Sequence, residues 1–239
     1  MNQLTEHIPI KGFLETSFLD WPGRIASVIF LPFCNFRCPY CQNTSLVLNP
    51  HLLKDIPLNQ VLKRLKELKE WIDGVCITGG EPTIHKSLIE FIREFKNRNI
   101  PVKLDTNGSN PQMIATLLAE RLVDCIAMDV KAPLNNDSYA RLTGVTANLK
   151  NIKKSIELIR NSTIETIFRI TVVPGMLTEE DIYQVAKELY PVKKFILQQF
   201  SPENPLNPEL KKVVPWPQEK IERVQKKVNQ IVGGNQQSL

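Results

Sequence analysis

Two periods of hydrophobic and polar positions alternate along the chain. Runs rich in β-branched residues, Ala26–Leu31, Gly74–Thr78, Val102–Thr106, Asp124–Val130, Thr166–Val173 and Lys194–Gln199, read as strands. Between them Leu58–Trp71, Pro82–Asn97, Pro111–Arg121, Leu149–Arg160 and Thr178–Tyr190 repeat apolar residues every three or four positions, which predicts amphipathic helices. Leu62, Leu65 and Leu68 make one such stripe, and Ile89, Ile92 and Phe95 another. Pro82 and Pro111 suit a first helical turn, and Thr178-Glu179-Glu180-Asp181 reads as a cap followed by acidic residues. Strict alternation of strand and helix dictates a parallel sheet with right-handed crossovers. A closed barrel needs eight strand-plus-helix units, so six predict an α/β fold of the partial (β/α)6, TIM-like kind, with an open doubly wound sheet as the other solution. Beyond Gln199, the prolines of residues 202–208 and Pro215-Trp216-Pro217 exclude regular structure. A last amphipathic helix follows, with Ile221, Val224, Val228 and Ile231 on one face. The expected organisation is an N-terminal segment (1–25), the α/β body (26–200), and a Pro-rich connection with a helix (201–239) packed on the same domain.

Composition narrows the class. The 239 residues are 42% hydrophobic and 23% charged, enough to bury a core, which excludes a disordered chain. The longest apolar run, Ile25–Phe33, is far too short to span a bilayer. The start, Met1-Asn2-Gln3-Leu4-Thr5-Glu6, lacks the basic end and apolar stretch of a signal peptide, so a cytoplasmic protein without membrane contact is expected. The net charge of +5 is spread along stretches such as Lys63-Arg64-Leu65-Lys66-Glu67-Leu68-Lys69-Glu70, which read as solvated helix faces. With aromatics at only 7%, nothing resembles a nucleic-acid groove.

Ligand sites of parallel α/β folds lie where strands end at their C-terminal tips. Reading those positions alone collects Pro32 to Cys41, Gly79-Gly80-Glu81-Pro82, Asp105-Thr106-Asn107-Gly108, Met128-Asp129-Val130-Lys131, Val172 to Gly175 and Gln198 to Ser201. The polar and Gly-rich tokens of an otherwise apolar strand series thus share one rim. Five cysteines, at 34, 38, 41, 76 and 125, are an odd number in a chain without an export signal, which argues for thiols rather than a disulfide framework. Cys76 and Cys125 sit within apolar strands and read as packing. His7, His51 and His85 stand alone and read as surface or capping residues. Asp105-Thr106-Asn107-Gly108 suits a plain turn as well as a site, and Asp129 with Lys131 suits a structural ion pair as well as a ligand contact.

Cys34, Cys38 and Cys41 fall within eight residues. Structural zinc wants a fourth ligand at compact spacing, and His51, His85, Cys76 and Cys125 offer none. Cys38-Pro39-Tyr40-Cys41 alone reads as the dithiol of a glutaredoxin, which has no use for Cys34 or for Gly79-Gly80-Glu81. An iron–sulfur cube held by three thiolates leaves one iron open to chelate a small molecule.

These motifs resemble the radical S-adenosylmethionine (SAM) superfamily, whose marks are C-x3-C-x2-C with an aromatic before the last cysteine, here Tyr40, and a Gly-Gly-Glu segment, here Gly79-Gly80-Glu81-Pro82. Within it the chain is similar to activases of glycyl radical enzymes, above all the kind serving anaerobic ribonucleoside-triphosphate reductase. The carrying residues are Gly12 to Ser17, Asp20 to Arg24, Cys34 to Asn43, Asp105 to Gly108, Met128 to Lys131 and Val173-Pro174-Gly175. The resemblance implies that a reduced [4Fe-4S] cluster cleaves SAM to a 5′-deoxyadenosyl radical that takes hydrogen from a glycine of a partner protein. It implies Cys34, Cys38 and Cys41 as the catalytic cluster ligands, Tyr40 against the adenine, Gly79, Gly80 and Glu81 on the methionyl amino group, and Lys131 on the SAM carboxylate or ribose. Asp105 and Asp129, two carboxylates at strand tips, imply a shared proton or a monovalent cation. The implied partners are a glycyl radical enzyme and an electron donor of the flavodoxin or ferredoxin type. Pyruvate formate-lyase activases tend to carry a His after the third cysteine and another near the sixth strand tip. Gln42 and Gln198 to Ser201 stand there instead, which favours the reductase. A small-molecule enzyme of the deazapurine type is the next reading, and the glutaredoxin reading follows it.

Overall fold

The computed structural model describes residues 8–233, so His7 and the opening Met1–Glu6 lie outside the described residues. The chain divides into two compact units. The first takes the chain up to Asn35, then Ser45–Thr106 and Gln112–Ile126. The second takes Phe36–Thr44, Asn107–Pro111 and the chain from Ala127 onward. Seven strands follow one another in sheet order: β1 (Gly12–Ser17), β2 (Ala26–Leu31), β3 (Gly74–Gly79), β4 (Val102–Thr106), β5 (Cys125–Asp129), β6 (Glu165–Val172) and β7 (Phe195–Gln199). Among the described residues no helix is long and apolar enough to cross a membrane.

In the first unit β2, β3 and β4 pair in parallel, with Ala26 opposite Gly74 and Val75 opposite Val102. Their residues are nearly all buried, as expected of apolar strands covered on both faces. β1 is the strand that the hydrophobic pattern misses. It pairs antiparallel to β2, is irregular between Leu14 and Ser17, and exposes Leu14, Glu15 and Thr16, so Gly-Phe-Leu-Glu-Thr-Ser lacks the apolar run of its neighbours. Past β1, Ser17 Oγ bonds Asp20 Oδ2 at 2.5 Å, and Trp21 is fully buried under the Arg24 guanidinium, 4.7 Å from its ring. Asp20-Trp21-Pro22-Gly23 is therefore an anchored turn. On the helix Leu58–Glu67 the buried pair is Val61 and Leu65, with Leu62 half-buried. The segment expected as one helix from Pro82 divides into a short 3₁₀ turn, Pro82–Ile84, and the helix Leu88–Lys96, which buries Leu88, Phe91, Ile92 and Phe95.

In the second unit Val130 N–H meets the Arg169 carbonyl at 2.9 Å, and β6 runs parallel to β7. Helices Leu149–Arg160 and Glu179–Leu189 fall where their stripes put them, the latter with Thr178 and Asp181 in a reciprocal capping box. The helix Asn136–Thr143 was not expected. It is short, opened by Asn135, whose side chain accepts from Ser138 N–H, and closed by Gly144 in the left-handed region. The last helix, Gln218–Gly233, buries Ile221, Val224 and Val228 as expected, but Val232 and not Ile231 continues the face. Its Gln225 amide completes the edge of β7, accepting from Leu197 N–H at 2.8 Å and donating to the Phe195 carbonyl at 2.7 Å. Gln225→Ala strands both buried backbone groups. It is expected to cost about 1–3 kcal/mol, read as a lower urea midpoint at unchanged slope.

Candidate active site

Cys34 belongs to the first unit, and Cys38 and Cys41, on the same loop of chain, belong to the second. None of the five cysteines is in a disulfide.

In the first unit the parallel ladder runs past the end of β3. Gly80 N–H donates to the Leu31 carbonyl and Glu81 N–H to the Phe33 carbonyl, each at 2.8 Å, so the Gly-Gly-Glu segment is laced to the residues leading into Cys34. A Cβ on Gly79 would fall on the Leu31 carbonyl, and one on Gly80 on the Phe33 carbonyl. Gly79 also has φ of +123°, which side chains rarely adopt. Both glycines thus serve contact between two strand-end segments. Phe33 N–H closes on the Leu46 carbonyl at 2.9 Å, and His85 Nε2 lies 2.9 Å from the Pro32 carbonyl. Burial lowers the His85 imidazole below its usual pKa, against the bond to the Pro32 carbonyl, which raises it. His85 was expected to be incidental, and the pattern held no sign of this role.

Glu81 is buried, and its Oε1 accepts from Thr83 N–H at 3.0 Å, Thr83 Oγ1 at 2.5 Å and Thr106 Oγ1 at 2.7 Å. Three donors on one oxygen fix the carboxylate in a single orientation. Asp105 is paired with the ammonium of Lys103, a residue 1% exposed whose Nζ also reaches Cys76 Sγ at 3.5 Å. Cys76 is therefore a buried acceptor as well as packing. Lys103, a lysine inside an apolar strand two residues before Asp105, is the signal by which sequence could have found this pair.

In the second unit Asp129 stands between two cations. Lys131 Nζ reaches Oδ2 at 3.1 Å and Arg169 Nε reaches Oδ1 at 2.8 Å. Burial pushes the Asp129 carboxyl up, but Arg169 and Lys131 outweigh it and hold it at about 2. Burial works against the Lys131 ammonium, and Asp129 foremost more than reverses this. Arg169, set among Phe168 and Ile170, is another basic residue in an apolar strand that sequence reasoning passed over. Each carboxylate thus has basic partners of its own: Asp105 has Lys103, and Asp129 has Lys131 and Arg169. Neither needs the expected monovalent cation to balance its charge.

Cys38, Tyr40 and Cys41 lie in the same unit as this triad. Burial foremost raises the Cys38 and Cys41 thiols, against the pull of the Lys131 charge, so both are protonated until something takes the proton. Their loop is pinned on both sides. Arg37 N–H bonds the Thr143 carbonyl at 2.8 Å, Leu206 N–H the Cys41 carbonyl at 3.1 Å and Asn207 N–H the Pro39 carbonyl at 2.7 Å. Gln42 Nε2 donates to the Ser201 carbonyl at 2.7 Å. The Pro-rich connection is therefore a strap on the cysteine loop. The Tyr40 hydroxyl is buried with no hydrogen-bond partner among the described residues. No three His, Cys, Asp or Glu side chains among the described residues form a ready-made ion cage.

A family model described as the Radical SAM superfamily matches residues 28–196. A protein of Methanocaldococcus jannaschii, provisionally named a glycyl-radical enzyme activating enzyme, is 34% identical over 215 residues, 88% of this chain and 87% of that one. The pyruvate formate-lyase-activating enzyme of Clostridium pasteurianum is 26% identical over 183 residues, 74% of each chain. Among solved structures, Streptococcus suis SuiB bound to S-adenosylmethionine matches with TM-score 0.63 at 14% identity, over 85% of this chain and 48% of that one. TYW1 with a lysine-pyruvate adduct matches with TM-score 0.61 at 16% identity, over 87% and 74%. This chain spans about half the length of SuiB, and at such identities the likeness shows the fold alone.

The Asp129 pairing predicts acid sensitivity. A carboxyl held at about 2 against an ordinary 3.8 contributes its stability in full above about pH 4 and loses it as the pH falls toward 2. The loss, about 2 kcal/mol, is read from urea midpoints across that interval, where Asp129→Asn shows a flatter dependence.

Proposed function

The chain belongs to the radical SAM superfamily, and on that premise we propose that it generates a glycyl radical on an anaerobic ribonucleoside-triphosphate reductase. It is an enzyme of the glycyl-radical-enzyme-activating type, with a [4Fe-4S] cluster and SAM as cofactors. The donor set carries the reading of the site: three cysteine thiols on one loop within eight residues, without a fourth at compact spacing. The residues present fit such a cluster. The buried hydroxyl of Tyr40, the residue before the third cysteine, lacks a partner among the described residues, and a buried ammonium, Lys131, acts on the charge of both Cys38 and Cys41. When bound, cluster and SAM supply one electron and a carbon radical able to take hydrogen from a glycine.

In this reading Cys34, Cys38 and Cys41 hold the cluster and leave one iron for SAM. Metal binding has to displace the thiol protons that burial retains at Cys38 and Cys41. The lacing of Gly80 and Glu81 to Leu31 and Phe33 keeps Cys34 in register with the segment that receives the methionyl amino group. Glu81, fixed by Thr83 and Thr106, presents negative charge to an ammonium, and the Tyr40 ring meets the adenine. Lys131, held by Asp129, offers a cation to the SAM carboxylate or ribose. Arg169 on the far oxygen of Asp129 keeps that carboxylate ionised, so Lys131 stays charged. Asp105, neutralised by Lys103, is a positioning residue for the tip of β4. We place the enzyme in the cytoplasm, with a flavodoxin- or ferredoxin-type protein as electron donor.

Gln42 supports the reductase as target over pyruvate formate-lyase. Its amide is committed to the Ser201 carbonyl, so the position after the third cysteine anchors the strap. Reduced, cluster-loaded protein mixed with SAM and an anaerobic ribonucleotide reductase is expected to give the doublet electron-spin-resonance signal of a glycyl radical. The Cys38→Ala protein is expected to give none. A doublet only when pyruvate formate-lyase replaces the reductase would reject the target, and a doublet from Cys38→Ala would reject the cluster ligands.

A further inference from the structure

We propose that Cys76 and Lys103 form an oxidative modification site, at which hydrogen peroxide joins the cysteine sulfur to the lysine nitrogen as a sulfenamide. The inference uses neither the cluster nor SAM, so it stands or falls apart from the reading above.

Cys76 of β3 lies opposite Lys103 of β4 in the parallel ladder, which turns both side chains to one face of the sheet. There Lys103 Nζ donates to Cys76 Sγ at 3.5 Å. Cys76 is fully buried and Lys103 is 1% exposed. Asp105, two residues further along β4 and so on the same face, pairs with the Lys103 ammonium. That pair answers for the buried charge but not for a thiol set against the same nitrogen. A thiol in apolar surroundings is ordinarily inert, whereas one beside an ammonium is of the oxidisable kind. A nitrogen and a sulfur 3.5 Å apart also stand at the separation from which reacting atoms close to a bond.

The chemistry balances in two steps. Peroxide gives one oxygen to the Cys76 sulfur: an S–O bond forms, the O–O bond breaks, and water leaves a sulfenic acid behind. The Lys103 ammonium then passes a proton to the Asp105 carboxylate, and its nitrogen attacks the sulfur. The N–S bond forms, the S–O bond breaks, and the departing hydroxide takes a second nitrogen proton as water. Sulfur loses two electrons, and the peroxide ends as two waters. Sulfenic acids condense with a neighbouring nitrogen in this way. In the bridged form the nitrogen is uncharged, so Asp105 loses its counter-ion and β3 is welded to β4 just before Gly79.

The test exposes the full chain, folded and metal-free, to hydrogen peroxide, digests it without reductant using trypsin, which cannot cut at a bridged Lys103, and weighs the peptides. Expected is one species joining peptide 70–86, which holds Cys76, to peptide 99–121, which holds Lys103, about 2 Da lighter than their sum. Residues 99–121 contain no cysteine, so a disulfide cannot join the two. Dithiothreitol is expected to part them and Cys76→Ser to abolish the species. Unfolding in urea before oxidation is expected to lower its yield at least about tenfold, because the contact is lost. Cys76 found only as the free thiol, or only as sulfenic or sulfinic acid, about 16 or 32 Da heavier, would overturn the proposal. A joined pair about 14 Da heavier, with the oxygen retained, would overturn the condensation step. Equal yield in urea overturns it as well, since the fold would then not supply the contact.

Discussion

Gly80 N–H on the Leu31 carbonyl and Glu81 N–H on the Phe33 carbonyl, both at 2.8 Å, tie two strand ends into one frame. The approach is so close that no side chain fits at residue 79 or 80. Much of the first unit's chemistry follows from it. The lacing fixes the residues before Cys34, His85 and Leu46 brace the same stretch, and Glu81 is delivered to Thr83 and Thr106, which orient its carboxylate. A larger residue at either glycine would part the segments before it reached any ligand.

Charge is managed by local pairing. Buried or half-buried ions are tolerated when an opposite charge or hydrogen bonds meet them, and Glu81, Asp105 and Asp129 each have one or the other within their own unit. Lys103 faces Asp105, and Lys131 and Arg169 share Asp129. Such pairs add little to stability compared with apolar packing, so their presence at strand tips points to the site. The Tyr40 hydroxyl stands apart from this pattern, a buried polar group without a partner among the described residues.

The fold was legible where burial acts on both faces. Ala26–Leu31, Val102–Thr106 and Leu149–Arg160 match their expected bounds, because apolar runs and helical stripes report burial directly. β1 and the helix Asn136–Thr143 were not legible: one is a half-exposed edge strand, and the other is too short for a stripe to develop. Both matter, since Tyr139 and Thr143 of that helix hold Lys131 and Arg37. Val232 in place of Ile231 is a smaller miss of the same kind, one residue of phase at the end of a helix. Of the site, residue types and spacing gave Cys34, Cys38, Cys41, Glu81, Asp129 and Lys131 as candidates. The partners that fix them, Thr83, Thr106, His85 and Arg169, depend on contacts that no local spacing encodes. The backbone contact that excludes side chains at Gly79 and Gly80 is likewise one that no local spacing encodes.

The central claim is that three thiolates hold a cluster with one iron left open. The most direct measurement is iron and sulfide content after anaerobic reconstitution, followed by Mössbauer spectra with and without SAM. The account predicts about four irons and four sulfides per chain, with one iron site changing its signal when SAM is added. A single tetrahedral zinc or iron on the three cysteines, or a cluster whose irons all ignore SAM, would contradict it.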